Sequence, residues 1–312
     1  MKTFGITAFA VAALVSPAGA LDFGNGFSLT GEVELDYFNS SGTDGSLSYV
    51  DLTLGWRNQG SAAVGFGFDV TFRDFRELDV GDSFNNVWAA AVLTTPYGEL
   101  SVGRPLPVLS RMFDVPQVGG TRQLDLLLLE AGGRADSFLA FLPMLNDSLD
   151  PTGLTFKGTS AGLGYGVGVH RFESGPTSVD AYEGAISYQI DRTELFAGYE
   201  TLDLPVGSID RLRLGARYGA DRWSVGAQAT VFEGPGGDRI STRYLFGDYL
   251  VTDALKIGAQ ILDISIPVGD GPSFYGLTGE YGFGAGGYVQ LGVITQKDSS
   301  SEAFTASLGY RF

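Results

Sequence analysis

The sequence predicts an all-β fold: a transmembrane antiparallel up-and-down β-barrel of about 16 strands, with a long third outer loop folded into the lumen. Three observations predict it. Apolar and polar residues alternate over many segments of about ten residues. Very short turns alternate along the chain with longer polar turns. This is typical of an antiparallel meander whose strands are joined by short turns at one end of the barrel and by longer loops at the other. After the N-terminal segment, no apolar stretch reaches the 18 residues that indicate a membrane-spanning helix.

The N-terminal segment has the three parts of a secretory signal peptide. Lys2 supplies the positive charge, an apolar run follows it, and small residues stand at 18–20. The alternative, an N-terminal membrane anchor, is disfavoured because the apolar run is too short to span a bilayer as a helix. We therefore expect residues 1–20 to be removed, which leaves 21–312 as a single transmembrane β-barrel domain.

The charge balance and the missing residue types exclude several kinds of site. The chain has 36 acidic and 20 basic residues, so the phosphates of a nucleic acid would repel it. It has no cysteine and a single histidine, His170, which excludes disulfides, thiolate metal sites and histidine clusters. We expect no metal and no cofactor. An exported, cysteine-free chain with 46 glycines and many aromatic residues favours a β architecture.

The alternation is strict in several segments. In FSLTGEVELDYF (27–38), Val33 and Leu35 share one face, whereas Glu32 and Glu34 share the other. The same pattern recurs in AVGFGFDVTFR (63–73), RLRLGARY (211–218), RWSVGAQATV (222–231) and FYGLTGEYGF (274–283). The connections TPYG, DR, AD and TD are predicted to be short turns, and NSSGTDG, LPVGSID, GPGGDRIS, PVGDGPS and KDSSSE to be long ones.

Two architectures fit alternating strands, and composition decides between them. A soluble barrel or sandwich turns its apolar face inward, whereas a membrane barrel turns it outward to lipid. About sixteen strands enclose a lumen too wide for side chains to fill, so a soluble barrel of that size would have an empty apolar interior. The charged faces are therefore expected to line water, and the apolar faces to contact lipid.

The chain ends on SLGYRF, within an alternating strand and without a polar tail. In lipid every backbone N–H and C=O group must be paired, so the sheet has to close on itself. We therefore expect the last strand to pair with the first, near residues 27–38. Phe312 is then expected in the aromatic girdle at the periplasmic rim.

One connection breaks the regular spacing. The alternation stops at Arg104 and resumes near residue 152, and the segment 105–151 between them is far longer than ordinary loops. It contains the apolar stretches RQLDLLLLEAG, which could form a short helix, and SFLAFLP. These are too apolar for a solvated loop, so we expect a constriction loop folded against the inner wall. The alternative is a small extracellular subdomain.

The order of these features resembles a known family. A signal peptide, about sixteen alternating strands, GELSVGR at 98–104 before a long third outer loop, and a terminal Phe are similar to the general diffusion porins of Gram-negative outer membranes, alphaproteobacterial members above all. The resemblance implies a homotrimer in the cell outer membrane, among its lipids. It also implies a third loop that constricts the barrel, and a C-terminal strand ending in Phe312 that the outer-membrane assembly machinery recognises.

The resemblance also implies charged residues on the loop and on the wall. The loop acids would be Asp114, Asp125, Glu130 and Asp136. The basic residues of the pore wall would be Arg57, Arg73, Lys157, Arg211, Arg213 and Arg217, with Arg104 at the root of the loop. The acidic residues of the wall would be Glu32, Glu34, Asp36 and Asp69. The first three depart from the family pattern, in which a basic wall residue is expected there, and each charge alone could be a solvated lumen residue.

These observations predict a passive, water-filled channel for ions and small hydrophilic solutes. A cation preference is expected because the acidic excess must lie on the lumen and the loops. A substrate-specific channel and an outer-membrane barrel hydrolase are the alternatives. For the hydrolase, GTSAG (158–162) matches a nucleophile-elbow pattern and His170 faces inward, but another strand follows where a helix is needed. We therefore expect no enzyme activity and a hydrated His170.

Overall fold

A computed structural model describes residues 20–40, 43–58, 64–79, 83–112, 115–122, 137–146, 148–269, 271–299 and 302–312. All but the last residue of the expected signal peptide lies outside the described residues. The strands are β1 Leu21–Gly24, β2 Phe27–Ser40, β3 Thr43–Arg57, β4 Gly65–Glu77, β5 Ser83–Thr95, β6 Gly98–Arg104, β7 Asp150–Ser160, β8 Leu163–Ser174, β9 Thr177–Ile190, β10 Thr193–Leu204, β11 Gly207–Gly219, β12 Trp223–Glu233, β13 Arg239–Leu250, β14 Leu255–Ser265, β15 Ser273–Phe283, β16 Gly287–Gln296 and β17 Glu302–Arg311.

The strands form a closed antiparallel barrel. Each strand from β2 to β17 pairs antiparallel with the next one along the chain, and β17 pairs with β2. Within the described ranges, sixteen strands thus complete the ring, and the short β1 pairs with β2 beside it. The predicted up-and-down barrel of about sixteen strands is confirmed.

The two ends of the chain form the closure seam, which we define as the pairing of β17 with β2. In its register Leu308 pairs with Leu35, and Arg311 pairs with Glu32. The pairing continues to the last residue, because the Phe312 amide donates to the Gly31 carbonyl at 2.8 Å. The last backbone groups of SLGYRF therefore take part in closing the sheet, as lipid requires.

The two faces of the barrel differ as the alternation predicts. On the seam strands, Leu35 and Leu308 are 53% and 51% exposed, whereas Glu34 and Ser307 are 4% and 3% exposed. The large exposed apolar side chains continue on every strand in the same parity, for example Val167, Ile186, Leu214, Leu245 and Leu277. One face of the closed sheet is thus an apolar outer surface, and the other is an inner face rich in charged and hydroxyl groups.

Two of the turns expected to be long are tight hairpins. β10 and β11 pair up to Leu204 and Gly207, so LPVGSID contains a two-residue turn. β2 and β3 likewise pair up to Ser40 and Thr43 in NSSGTDG. The expectation was wrong because the two strands continue to pair beyond the apolar belt. The residues there no longer alternate between apolar and polar, so the sequence pattern did not indicate a strand. The GTSAG segment is the end of β7 followed by a two-residue turn into β8, with Ala161 and Gly162 at positive φ.

The long connection, residues 105–149, joins β6 to β7 and contains short helices. They are α1 Leu109–Met112, a 3₁₀ turn Val118–Gly120 and α2 Phe138–Leu145. The stretch SFLAFLP is therefore largely helical, with Ser137 at the N-cap position of α2. The predicted helix at 122–132 falls almost entirely outside the described residues. No helix in the described part of the chain is long and apolar enough to cross a membrane.

Single cysteines can report which face borders lipid, because the chain has none of its own. With the protein in lipid vesicles, we expect Leu308→Cys to react with a lipid-soluble maleimide and to resist a charged, water-soluble one. Lys157→Cys, at an inner-face position whose side chain is 52% exposed, is expected to show the opposite preference. Rapid reaction of both variants with the charged reagent would contradict the lipid-facing assignment.

Candidate functional site

The candidate site is the inner face of the barrel, where the long connection meets the wall. Its first anchor is on β9, where Glu183 accepts hydrogen bonds from the backbone N–H groups of Val108 (2.7 Å) and Leu109 (3.1 Å). His170 Nε2 is 2.8 Å from the same carboxylate. The expectation of a hydrated His170 was wrong, because this ring is buried beneath the root of the connection.

The second anchor lies on β13, β14 and β17. The Tyr244 hydroxyl donates to the Pro116 carbonyl at 2.7 Å, and the Gly119 amide donates to Gln260 Oε1 at 3.2 Å. Thr305 on β17 donates its hydroxyl to the Gly119 carbonyl at 2.5 Å. Polar side chains of the wall therefore pair backbone groups of the connection that would otherwise be buried without partners.

These two anchors hold described parts of the connection against the inner face at opposite sides of the barrel. β9 and β17 are eight positions apart in the ring of sixteen, so they lie on opposite sides. Residues 109 and 119 are ten positions apart, and ten residues reach at most about 35 Å. A path around the outside would cover eight strand spacings, roughly 54 Å at a tilt of about 45°. Ten residues are therefore too few to run around the outside of the barrel between the two anchors.

The 3₁₀ turn needs glycine for two reasons. Gly119 and Gly120 have φ values of 59° and 68°, a backbone conformation that favours glycine. A Cβ atom at Gly119 would also clash with Ile294, and one at Gly120 would approach Gln290. The turn therefore lies flat on the wall, and its Gly120 carbonyl accepts a hydrogen bond from Ser307 at 3.0 Å.

Arg122 is the last described residue of this stretch, and it lies in a cluster of acidic wall residues. Its guanidinium forms ion pairs with Glu34 (2.7 Å) and with Glu32, and its backbone N–H donates to Asp36 at 2.9 Å. The guanidinium also lies 3.7 Å from the ring centre of Tyr49, in a cation–π contact. Burial alone would lower the pKa of Arg122, but the charges of Glu34 and Glu32 outweigh burial and hold that pKa well above its usual value.

A second group of charged residues connects these acids to Arg311, near the C-terminal end of β17. Arg311 donates to Glu32 at 3.0 Å and to Glu280 at 2.9 Å. Lys256 lies 3.1 Å from Glu280, and the Tyr288 hydroxyl donates to Glu32 at 2.7 Å. We name the residues of both groups the seam network: Glu32, Glu34, Asp36, Arg122, Lys256, Glu280, Tyr288, Ser307 and Arg311. It links the long connection to both strands of the closure seam.

The third anchor holds the second half of the connection. The Ser137 hydroxyl donates to Glu200 on β10, and the other carboxylate oxygen of Glu200 lies 2.5 Å from Arg211. The Arg211 guanidinium is 5.6 Å from the ring centre of Phe138, the first residue of α2. The charge of Glu200 is thus matched by a wall cation, and its hydrogen bond to Ser137 holds the start of α2 at the wall.

Apolar contacts surround each polar anchor. Leu109 packs with Phe196, Val118 packs with Phe246, and α2 packs between two parts of the wall. The wall residues that contact α2 are Trp88, Phe172, Ala181 and Leu202 in one cluster, and Leu47, Tyr49 and Phe75 in another. The inward aromatic residues in these clusters thus pack against the connection. They do not line a continuous aromatic path.

The comparisons with known proteins agree with this geometry. The sequence model of the Gram-negative porin family matches residues 5–312. The chain belongs to the Gram-negative porin family. A triple mutant of the Rhodopseudomonas blastica porin has a similar structure, with a TM-score of 0.67 and 17% identity over 92% of this chain and 100% of that one. A porin structure refined at 1.8 Å has a TM-score of 0.66 and 15% identity over the same shares. No curated protein sequence matches.

Five of the seven predicted wall cations of this porin lie in ion pairs with acids. Arg57 pairs with Asp69 (2.7 Å) and Glu99 (3.0 Å). The other pairs are Arg73 with Asp51 (2.8 Å), Arg104 with Asp150 (3.2 Å), Lys157 with Glu99 (3.7 Å) and Arg211 with Glu200 (2.5 Å). Arg213 is buried, and Arg217 lies 5.5 Å from the ring centre of Phe246. The local charges of the wall are thus largely matched in pairs.

In the described part of the connection, the charged contact between loop and wall has the opposite sign to the one that the resemblance implies. Asp114, Asp125, Glu130 and Asp136 all lie outside the described residues, so their contacts stay a prediction. Where the connection is described, a loop cation meets wall acids. Sequence reasoning missed Arg122, although the three inward acids of β2 were an available signal, because buried carboxylates require a cation.

Proposed function

We propose that this porin forms a water-filled channel for the passive diffusion of ions and small hydrophilic solutes, and that the long connection narrows its lumen. The observation that carries this is the pair of anchors at opposite sides of the barrel, Glu183 on β9 and Thr305 on β17. A segment held at opposite sides of a wide barrel reduces its open cross-section and leaves passages beside it. Stepwise conductance of the purified protein in a planar bilayer tests the function, and a protein that never conducts would refute it.

We also propose a preference for cations. The chain carries 16 more acidic than basic residues, and five of the seven wall cations named above are paired with acids. The surplus charge near the water-filled passages is therefore negative. A potential of about one kT in the passage enriches cations over anions roughly sevenfold.

The ion preference is measured by the reversal potential in a tenfold gradient of potassium chloride. We expect the sign of a cation-selective channel, and we expect the preference to decline as the salt concentration rises, because mobile ions screen the fixed charges. A reversal potential of the opposite sign would refute the preference, while the channel function itself would stand.

Membership of the family supports the remaining proposals on assembly and location. We propose that residues 1–20 are a signal peptide removed on export, and that the 21–312 barrel forms a homotrimer in the outer membrane. We further propose that the assembly machinery recognises the last strand through Phe312. The mass of the protein in detergent measures the trimer, and deletion of Phe312 is expected to reduce the amount of assembled protein in the membrane.

A further inference from the structure

A cavity of about 130 Å³ lies between the root of the long connection and the inner wall of β3 to β7. Roughly 10–15 Å³ is needed per water position, so the cavity has room for about ten. One side of the cavity is apolar and includes Leu106, Val108 and Met112, whereas the other side includes Ser101 and Thr155. A cavity with one apolar side and one side that carries hydroxyl groups suits an amphipathic molecule of a few heavy atoms.

Two hydrogen-bond donors in the lining of this cavity lack a partner. Trp88 and Arg104 both line it, and the Trp88 Nε1 and Arg104 Nε atoms are buried with no hydrogen-bond acceptor among the described residues. Trp88 is itself only 1% exposed. Buried donors are nearly always paired, so an acceptor from outside the chain is expected here. The Arg104 side chain as a whole is 37% exposed, so the cavity borders the lumen at this residue.

The charges of the lining indicate which acceptor fits. Asp69 is the acid in the lining, and it is engaged in a two-pronged pair with Arg57 at 2.7 and 2.9 Å. Two cations, Arg104 and Lys157, line the cavity, and each lies near an acid outside the lining, Arg104 at 3.2 Å from Asp150 and Lys157 at 3.7 Å from Glu99. Within the lining, cations outnumber acids two to one and two buried donors lack an acceptor, which favours an anion. A carboxylate accepts several hydrogen bonds at once, and a short hydrocarbon chain attached to it would pack against the apolar side of the cavity.

On the basis of the channel function proposed above, we propose that this cavity is a saturable binding site for small organic carboxylates that pass through the lumen. The carboxylate accepts hydrogen bonds from Trp88 Nε1 and Arg104 Nε, and the hydrocarbon part lies against Leu106 and Val108. In a channel that is proposed to prefer cations, such a site would give this class of anion a local binding step, strengthened by apolar contacts that chloride cannot make.

Butyrate is a suitable probe because it has six heavy atoms and a single carboxylate. Calorimetric titration of the full protein in detergent is expected to show saturable butyrate binding, with none for protonated butylamine. Trp88→Phe removes the indole N–H and keeps an aromatic ring, and Arg104→Lys keeps the charge and removes Nε. Each variant is expected to weaken butyrate binding about tenfold. Trp223→Phe, on the exposed face, is the matched control and is expected to bind as the parent does.

Folding of each variant is checked by its thermal transition, and either variant suffices if the other does not fold. Absence of saturable binding to the parent, or equal affinity of both folded variants and the parent, would overturn the site and leave water as the partner of the two donors. Conductance is recorded separately. A protein that conducts without binding butyrate refutes only the site, whereas one that binds butyrate and never conducts refutes only the channel.

Discussion

Replacing Arg122 by methionine is expected to release the long connection from the seam network. Methionine keeps much of the apolar stem but leaves the buried Glu34 without its cation, and leaves Glu32 with Arg311 alone. Removing one partner of a buried ion pair typically costs about 3–5 kcal/mol. We expect a loss of that order in the free energy of unfolding, together with a larger and noisier single-channel conductance.

The control for this change is Arg171→Met, because the Arg171 side chain is 54% exposed and its ion pairs are longer than 3.4 Å. Exposed pairs contribute about 0–1 kcal/mol, so neither stability nor conductance should change measurably. Unfolding in guanidinium and bilayer recordings measure the two quantities. If Arg122→Met matched the parent in both, the seam network would not hold the connection.

Replacing Glu183 by glutamine is expected to loosen the root of the connection. One carboxylate oxygen becomes an NH₂ group, which cannot accept a hydrogen bond from the Val108 or Leu109 amide. A buried donor without a partner costs about 1–3 kcal/mol, equivalent to a rise of roughly 5- to 150-fold in local opening. Hydrogen exchange followed by mass spectrometry is expected to show that acceleration in peptides that contain Val108 and Leu109.

Glu173→Gln is the matched control, since the Glu173 side chain is 57% exposed on the neighbouring strand β8. It should leave exchange at Val108 and Leu109 as in the parent. Unchanged exchange in Glu183→Gln would mean that the apolar contacts of Leu109 with Phe196 are sufficient to hold the root.

The barrel was predictable because its signal is local. Each strand carries its own alternation, so the lipid-facing parity of Leu35 and Leu308 could be assigned from neighbouring residues alone. Closure followed from a general requirement, since lipid leaves no partner for an unpaired edge. The tight turn in LPVGSID was missed because the pairing there continues beyond the apolar belt.

The contacts of the connection were not predictable, because they join residues far apart in sequence. Arg122 meets Glu34 across 88 positions, and Val108 meets Glu183 across 75. Parity placed Glu34 and His170 on the inner face, but it could not indicate which residue would lie against them. The cation that neutralises the acidic residues of β2 therefore lies on the connection. The family pattern had suggested the reverse, with acids on the connection next to wall cations.

The position of the seam network has a consequence for how the protein matures. Ser307 and Asp36, which hold the turn around Gly120 and Arg122, are 271 residues apart and become neighbours only when the first and last strands join. Until then this half of the insert has no complete docking surface. We therefore expect its final placement at the seam to follow completion of the cylinder.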